Sequence, residues 1–136
     1  MKCEKVVYGQ YDHKTLLDKV SRCKAVIFLC EHETQGLAYQ QILSTGTPII
    51  AWDRQTHWVD PAYFPEKVKF QPVSSVPYWD ERCGMKFNKI ENFKSTLEDF
   101  MAKVHEFAPR DYILEHLTLE KCAKDYVKIY RDVELS

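Results

Sequence analysis

The stretch from Lys24 to Trp52, KAVIFLCEHETQGLAYQQILSTGTPIIAW, decides the fold. It contains only three charged side chains in 29 residues, so most of it belongs inside a protein. Its first apolar run, Ala25 to Cys30, is continuous, which is typical of a strand covered on both faces of a parallel sheet. A second apolar run, Ile49 to Trp52, predicts another buried strand.

A short helix is predicted between these two strands, from Gly36 to Thr45. The apolar residues expected to face inward are Leu37, Ala38, Ile42 and Leu43. Gly46 suits the left-handed conformation that ends many helices, and Pro48 beyond it cannot continue one. Strand, helix and strand in this order indicate a parallel pair joined by a right-handed crossover.

Further elements are predicted on both sides of this unit. Before it, Val6 to Tyr8 is typical of a short strand ending at Gly9, and His13 to Cys23 has the spacing of an amphipathic helix. After it, Asp53 to Tyr78 has an irregular, proline-rich pattern that predicts a surface excursion with one or two short strands. Gly84 to Phe87 follows as an edge strand.

Three helices are predicted to close the chain. They cover Ile90 to Phe107, Arg110 to Leu117 after Pro109, and a last segment for which Thr118 is the N-cap. The last helix is expected to bury one apolar face, formed by Leu119, Cys122, Ala123, Tyr126, Val127 and Tyr130. The pattern as a whole predicts a single α/β domain over residues 1–136, a Rossmann-like parallel sheet with helices on both faces.

Composition restricts the function. The chain has 19 basic and 20 acidic residues and a net charge of -1, which argues against nucleic acid as a partner. Its apolar runs are too short to span a membrane and its first residues do not resemble a signal peptide, so we expect a cytoplasmic protein. The five cysteines form no C-x-x-C pair, and we expect reduced thiols, no metal site and no cofactor.

One loop is rich in chemistry, the stretch from Cys30 to Gly36 that follows the first buried strand. Ligands of open parallel sheets bind outside the carboxyl ends of the strands. Here the next helix would begin after Gly36, so its unpaired N–H groups could hold a phosphate or a sugar hydroxyl. Gly36 would let such a ligand approach the backbone closely.

The same residues resemble a known family. Glu33-x-x-Gly36, Gln41 and the run Gly46-Thr47-Pro48-Ile49-Ile50 are similar to the E-x-F-G-x(4)-E-A-x-A-x-G-x-P-V-I signature of retaining GT-B glycosyltransferases, family 4 (group 1). The likeness to their C-terminal, nucleotide-sugar-binding domain continues upstream through Ser21 to Leu29 and downstream to Phe87. The resemblance implies the fold predicted above, as the C-terminal half of a GT-B fold.

The resemblance also implies roles for individual residues. Glu33 matches the acid that contacts the donor sugar near the reacting centre, and is the catalytic candidate. Gly36 and Leu37 match the backbone amides that hold the sugar or diphosphate. Gln41 stands where the family has a second acid that binds both ribose hydroxyls. An amide loses the charge-assisted hydrogen bonds of that acid, which are about twice as strong as neutral ones.

The turn Gly9, Gln10 and Tyr11 stands where the family holds the nucleotide base. The implied reaction moves a hexosyl unit from a nucleoside diphosphate sugar, such as a UDP- or GDP-sugar, to a hydroxyl acceptor. The family also needs an N-terminal acceptor domain, and the first strands of its C-terminal domain supply an Arg and a Lys that neutralise the diphosphate. We therefore expect the chain to lack its first strands and to act with an N-terminal domain or a partner chain.

Two alternatives stay open. A nucleoside deoxyribosyltransferase-like or TIR-like protein also has a strand, an acidic loop and a helix that ends in Gly-x-Pro-Ile-Ile, and it would cleave an N-glycosidic bond of a nucleoside or of NAD. A non-catalytic binding or partner module could have kept the fold after losing affinity for a donor, and Gln41 favours that reading.

Overall fold

The structure, a computed structural model, describes residues 3–58 and 71–134. The helices are α1 (His13–Val20), α2 (Leu37–Ser44), α3 (Ile90–Ala102), α4 (Pro109–His116) and α5 (Leu119–Glu134). The strands are β1 (Val26–Leu29), β2 (Ile49–Trp52) and β3 (Gly84–Phe87), and a 3-10 turn at Glu81–Cys83 leads into β3. The chain is therefore mixed α/β, as predicted.

The three strands form one parallel sheet in the order β1, β2, β3. Leu29 lies opposite Trp52, and Trp52 lies opposite Phe87, so the three strands end level with one another. The loops that leave β1, β2 and β3 consequently start from one edge of the sheet. This edge is the place where a parallel sheet brings chemistry-bearing side chains together.

Helices cover both faces of the sheet at its centre. Ile49 and Ala51 of β2 pack into a core with side chains of α1, α2 and α4, whereas Ile50 packs with Phe87 and with Phe100 of α3. Alternate residues of a strand point to opposite faces, so β2 serves both cores. The arrangement is small but consistent with a Rossmann-like fold.

Local signals for element ends are confirmed at three places. Gly46 has φ of 87° and donates its N–H to the carbonyl of Leu43 at 3.0 Å, ending α2. Pro109 is the first residue of α4. The hydroxyl of Thr118 accepts from the N–H of Lys121 at 3.2 Å, which makes it the N-cap of α5. Each of these signals depends only on the nearest residues.

The expected first strand is wrong. Val6, Val7 and Tyr8 have no regular structure, and Tyr8 is 83% exposed. The apolar run from Ala25 to Cys30 also does not form a doubly covered strand. As β1 it lies at the edge of the sheet, with Leu29 69% exposed. An apolar run shows that a strand can be buried, but neighbouring elements decide whether it is.

The last helix also differs from expectation. It forms where predicted, but its apolar residues do not join either core, and Leu119 is 88% and Tyr126 71% exposed. Two other helices are shorter than predicted, since α1 ends at Val20 and α3 at Ala102. Among residues 3–58 and 71–134, none of the helices has the length and apolar character needed to cross a membrane.

The excursion after β2 is only partly described, because residues 59–70 lie outside the described ranges. Its described ends approach each other through one isolated antiparallel bridge between His57 and Pro72. The N–H of Val73 donates to the carbonyl of Thr56 at 3.0 Å beside this bridge. The second part of the excursion therefore returns to the carboxyl edge of the sheet.

Candidate functional site

The loop between β1 and α2 carries most of the predicted site and is tied to the loop after β2. Arg54 donates to the carboxylate of Glu31 at 2.9 Å, and the ring of His32 lies 2.8 Å from the hydroxyl of Thr56. The backbone N–H of Glu33 donates to the carbonyl of Ser74 at 3.3 Å. Three contacts to later segments thus hold a loop that has no regular structure of its own.

Glu33, the predicted catalytic residue, is half-buried in this loop. One carboxylate oxygen accepts from the N–H of Thr34 at 2.9 Å, which orients the carboxyl group. Within the described ranges the other oxygen has no hydrogen-bond partner. A carboxylate held in this way can accept a hydrogen bond from a hydroxyl of a bound ligand.

Gly36 is the N-cap of α2 and offers no side chain to cap the helix. The first intrahelical bond that follows is from the N–H of Gln40 to the carbonyl of Gly36 at 3.1 Å. The N–H groups of Leu37, Ala38 and Tyr39 consequently have no partner inside the helix. Leu37 is 64% exposed and does not face inward as expected, so the first residue of α2 lies at the surface.

The structure corrects the reason for Gly36 itself. The residue is buried, with φ of 76°, and a β-carbon placed on it would lie 1.9 Å from Cε1 of Tyr39. The group that approaches the backbone of Gly36 closely is therefore the ring of Tyr39. Glycine is needed here for the left-handed backbone and for packing against that ring.

Tyr39 links α2 to the segment before the 3-10 turn. Its hydroxyl donates to the carbonyl of Tyr78 at 3.1 Å and accepts from the N–H of the same residue at 2.9 Å. The side chain is completely buried. Burial raises the pKa of Tyr39 to about 12, against the smaller opposing effect of the hydrogen bond to Tyr78. The start of α2 is therefore fixed by a neutral, fully bonded phenol.

Gln41 lies four residues after Leu37 and so on the same side of α2, about 6 Å further along the helix. The opposite side of the helix is the buried one, formed by Tyr39, Ile42 and Leu43. Gln41 is half-buried, and its amide has no hydrogen-bond partner among the described residues. Leu37 and Gln41 thus lie on the same side of α2, which begins shortly after Glu33 in the chain.

The predicted base-binding turn lies before α1. Gly9 has φ of 77°, and the N–H of Gln10 donates to the carbonyl of Val7 at 3.0 Å. Tyr11 packs against the core that contains α1 and α2, and its pKa is raised by burial and by the nearby Tyr8. No hydrogen bond joins this turn to the loop of Glu33 in the part of the chain that the structure describes.

A buried carboxylate that was not predicted from the sequence, Asp53, directly follows β2. It accepts from the hydroxyl of Ser74 at 2.8 Å, from the N–H of Ser75 at 3.0 Å and from Lys86 at 3.1 Å. Burial raises the pKa of Asp53, but these hydrogen bonds outweigh it, and the pKa lies below its usual 3.8. The sequence signal that could have indicated Asp53 is its position directly after a buried strand.

A polar cleft of about 320 Å³ lies beside this carboxylate, between the ends of β2 and β3 and the start of α3. It is lined by Asp53, Arg54, Gln55, Lys86, Phe87, Asn88, Asn92 and Thr96. Neither Glu33 nor Gln41 contributes to it. The predicted site residues are therefore not part of this cleft, and the loop of Glu33 is joined to its lining through the contact between Glu31 and Arg54.

The thiol of Cys30, at the start of this loop, is not activated. Burial raises the pKa of the Cys30 thiol, with a further contribution from Glu33, so this cysteine is not an activated thiolate. Its Sγ donates to the carbonyl of His32 at 3.1 Å. A search of the described residues finds no group of three or more His, Cys, Asp or Glu side chains that could hold a metal ion.

Comparisons of the chain with protein-family models, with curated proteins and with solved structures give no match.

Proposed function

We propose that the chain is the nucleotide-sugar-binding part of a retaining GT-B glycosyltransferase, which moves a hexosyl unit from a nucleoside diphosphate sugar to a hydroxyl acceptor. The observation that carries the proposal is the uncapped start of α2, with Gln41 on the same side of the helix as its first residue and Glu33 in the loop directly before it. Along the chain Glu33 comes first, then the start of α2, then Gln41. This order matches that of sugar, diphosphate and ribose in such a donor.

Each residue has a chemical role in this proposal. The free carboxylate oxygen of Glu33 accepts a hydrogen bond from a hydroxyl of the donor sugar. The N–H groups at the start of α2 point toward the diphosphate, where the helix dipole favours negative charge. Gln41 accepts a hydrogen bond from a ribose hydroxyl. The transferred sugar leaves the diphosphate and forms its new bond to the oxygen of the acceptor hydroxyl, whose proton is released.

Charge that develops on the leaving diphosphate needs positioned cations, and this electrostatic effect is usually the largest in catalysis. Two cations that the described residues place on this edge, Arg54 and Lys86, are each bonded to a carboxylate. A second domain or chain that supplies the cations and the acceptor is therefore part of the proposal. We expect donor binding by this chain alone, without transfer.

The test is a thermal-shift panel of UDP, GDP, ADP, their sugar conjugates and NAD. A ligand at about 100 times its dissociation constant stabilises the protein by about 2.7 kcal/mol. We expect one nucleotide sugar to stabilise the protein in this way. Glu33→Ala should weaken the binding of that nucleotide sugar. Gln41→Glu should tighten its binding about 5- to 30-fold by restoring a charge-assisted hydrogen bond.

Two matched controls make the panel specific. Ser95→Glu adds the same charge at an exposed position of α3, which packs on the other face of the sheet from α2, and should leave affinity within about twofold. Glu31→Gln removes a carboxylate that faces Arg54 instead of the open side. A panel without any shift overturns the proposal in favour of a partner module. Cleavage of NAD or of a nucleoside supports the N-glycosidic-bond alternative.

A further inference from the structure

The buried carboxylate of Asp53 is engaged within the protein. Its side chain is 1% exposed, and both of its oxygens already accept hydrogen bonds. Oδ1 accepts from the N–H of Ser75, and Oδ2 accepts from the hydroxyl of Ser74 and from Lys86. Hydrogen bonds to a charged acceptor are about twice as strong as neutral ones. Asp53 therefore acts on the segment that it holds and not on a bound molecule.

This segment, residues 74–76, is fastened to the end of β2 at several points. The hydroxyl of Ser74 donates to Asp53 at 2.8 Å and accepts from the N–H of Val76 at 3.0 Å. The hydroxyl of Ser75 donates to the carbonyl of Trp52 at 2.8 Å. Since Trp52 ends β2 and Asp53 follows it, the segment is fixed relative to the centre of the sheet.

The same part of the chain holds the loop that contains Glu33. The carbonyl of Ser74 accepts from the backbone N–H of Glu33 at 3.3 Å. Beside this contact, the ring of His32 lies 2.8 Å from the hydroxyl of Thr56, and the carbonyl of Thr56 accepts from the N–H of Val73 at 3.0 Å. Both contacts of the loop thus lead to neighbouring residues of the returning chain, next to the buried carboxylate.

The carboxylate of Glu33 depends on this backbone contact for its place. One of its oxygens accepts from the N–H of Thr34, the next residue, so the side chain is oriented relative to its own backbone. That backbone is in turn held by the carbonyl of Ser74. A misplacement of about 1 Å in an active site can lower its rate about 100-fold. Distant residues that fix Ser74 can therefore control what Glu33 does.

We propose that Asp53 is a positioning residue for Glu33. Its carboxylate fixes Ser74, and the carbonyl of Ser74 holds the backbone of Glu33 at the place where the Glu33 carboxylate meets the donor sugar. The role of Glu33 at the donor rests on the proposed function. The anchoring of Glu33 by Asp53 does not, and it can be measured without a donor.

Hydrogen exchange of the Glu33 amide, followed by NMR, tests the anchoring. Ser74→Ala removes the hydroxyl that Asp53 holds but keeps the carbonyl that Glu33 contacts. The Glu33 amide should exchange about 10-fold faster in this variant, because loss of a hydrogen bond to a charged group loosens the segment. Affinity for the nucleotide sugar should fall about 3- to 10-fold. Ser74→Thr keeps the hydroxyl and should leave exchange and affinity within about twofold of the wild type.

Ser75→Ala is the matched control, because it removes a hydroxyl of the same segment that bonds Trp52 and not Asp53. Ser75 is completely buried, so this variant should lower the melting temperature at least as much as Ser74→Ala. Exchange of the Glu33 amide and donor affinity should still stay within about twofold of the wild type. Exchange and affinity that follow the melting temperature in both variants would reveal a purely structural role and overturn the proposal.

Asp53→Asn tests whether the carboxylate acts through Ser74. This variant should also speed exchange of the Glu33 amide. Combined with Ser74→Ala, it should give exchange no faster than that of the faster single variant, because both substitutions break the same chain of contacts. Additive effects would show two separate routes to Glu33 and overturn the proposal. The serine variants decide the question if Asp53→Asn does not fold.

The two readouts separate this inference from the proposed function. Exchange at Glu33 that responds as expected, without binding of any nucleotide sugar, would remove the proposed function and support the anchoring of Glu33 by Asp53. A nucleotide sugar that binds the wild type and Ser74→Ala with equal affinity would support the proposed function and overturn the positioning role of Asp53.

Discussion

The ring of Tyr39 occupies the place where a β-carbon on Gly36 would lie, with 1.9 Å between that carbon and Cε1. The ring cannot move aside easily, since it is fully buried and its hydroxyl is bonded twice to Tyr78. The start of α2, and with it the proposed diphosphate position, therefore depends on a packing contact between two residues only three apart.

Gly36→Ala should destabilise the protein strongly. A left-handed backbone costs a non-glycine residue about 1–2 kcal/mol, and the overlap with Tyr39 adds about 1–3 kcal/mol, so we expect a loss of about 2–5 kcal/mol. Gly46→Ala is the matched control, because Gly46 has φ of 87° but nothing within 4 Å of its β-carbon position. Urea unfolding measures both variants. Equal losses of unfolding free energy in the two variants would mean that the ring of Tyr39 moves aside to accommodate the new methyl group.

Tyr39→Phe should cost about 1–2 kcal/mol of stability. The substitution keeps the ring but leaves the N–H and the carbonyl of Tyr78 without their partner. Tyr112→Phe is the control, because Tyr112 is buried as well but its hydroxyl has no hydrogen-bond partner in the described ranges. We expect less than about 0.5 kcal/mol for the control. Thermal unfolding of the two variants would separate them, and similar losses would contradict the role given to the hydroxyl.

Asp53→Asn tests the buried carboxylate that joins β2, β3 and the returning segment. Loss of its charged hydrogen bonds to Ser75 and Lys86 should cost about 2–3 kcal/mol at pH 7. Asp99→Asn, at an exposed position of α3, should change stability by less than about 0.5 kcal/mol. Unfolding in urea at pH 7 measures both.

Asp53 should also make the stability of the protein depend on pH. Its pKa is lower in the folded protein than its usual 3.8, so the folded state holds the proton less tightly than the unfolded chain. The stability that Asp53 contributes is therefore present above pH 3.8 and is lost as the pH falls below that value. Stability curves between pH 3 and 7 should fall less steeply for Asp53→Asn than for the wild type. Parallel curves would show that this group does not titrate as inferred.

The sequence predicts those parts of the fold that depend on nearby residues. The bounds of β2, the end of α2 at Gly46 and the start of α4 at Pro109 were predicted because turn and cap residues act over one or two turns of chain. The burial of α5 could not be predicted in the same way. Periodicity shows that a helix has an apolar face, but not what covers that face.

In the candidate site, too, the features that depend on nearby residues could be predicted and those that depend on distant residues could not. Glu33 and Gln41 follow from a local motif and stay predictions, whereas the structure gives Gly36 a packing role against Tyr39. The network of Asp53 with Ser75 and Lys86 joins residues 22 and 33 positions apart, so no local pattern contains it. Long-range contacts of this kind need the fold before they can be found.

Strand β1 lies at the edge of the sheet, whereas β2 lies at its centre. Leu29 ends β1 with 69% of its surface exposed, whereas Ile50 in β2 is completely buried between the sheet and α3. Leu29→Ala should therefore change stability by less than about 0.5 kcal/mol, while Ile50→Ala should cost about 2–5 kcal/mol through lost burial and a cavity. Both substitutions remove a branched apolar side chain from a strand of the same sheet, so the pair is matched. A large loss at Leu29 under urea would mean that β1 has a covered face in solution, and that another segment or a second copy of the chain packs on it.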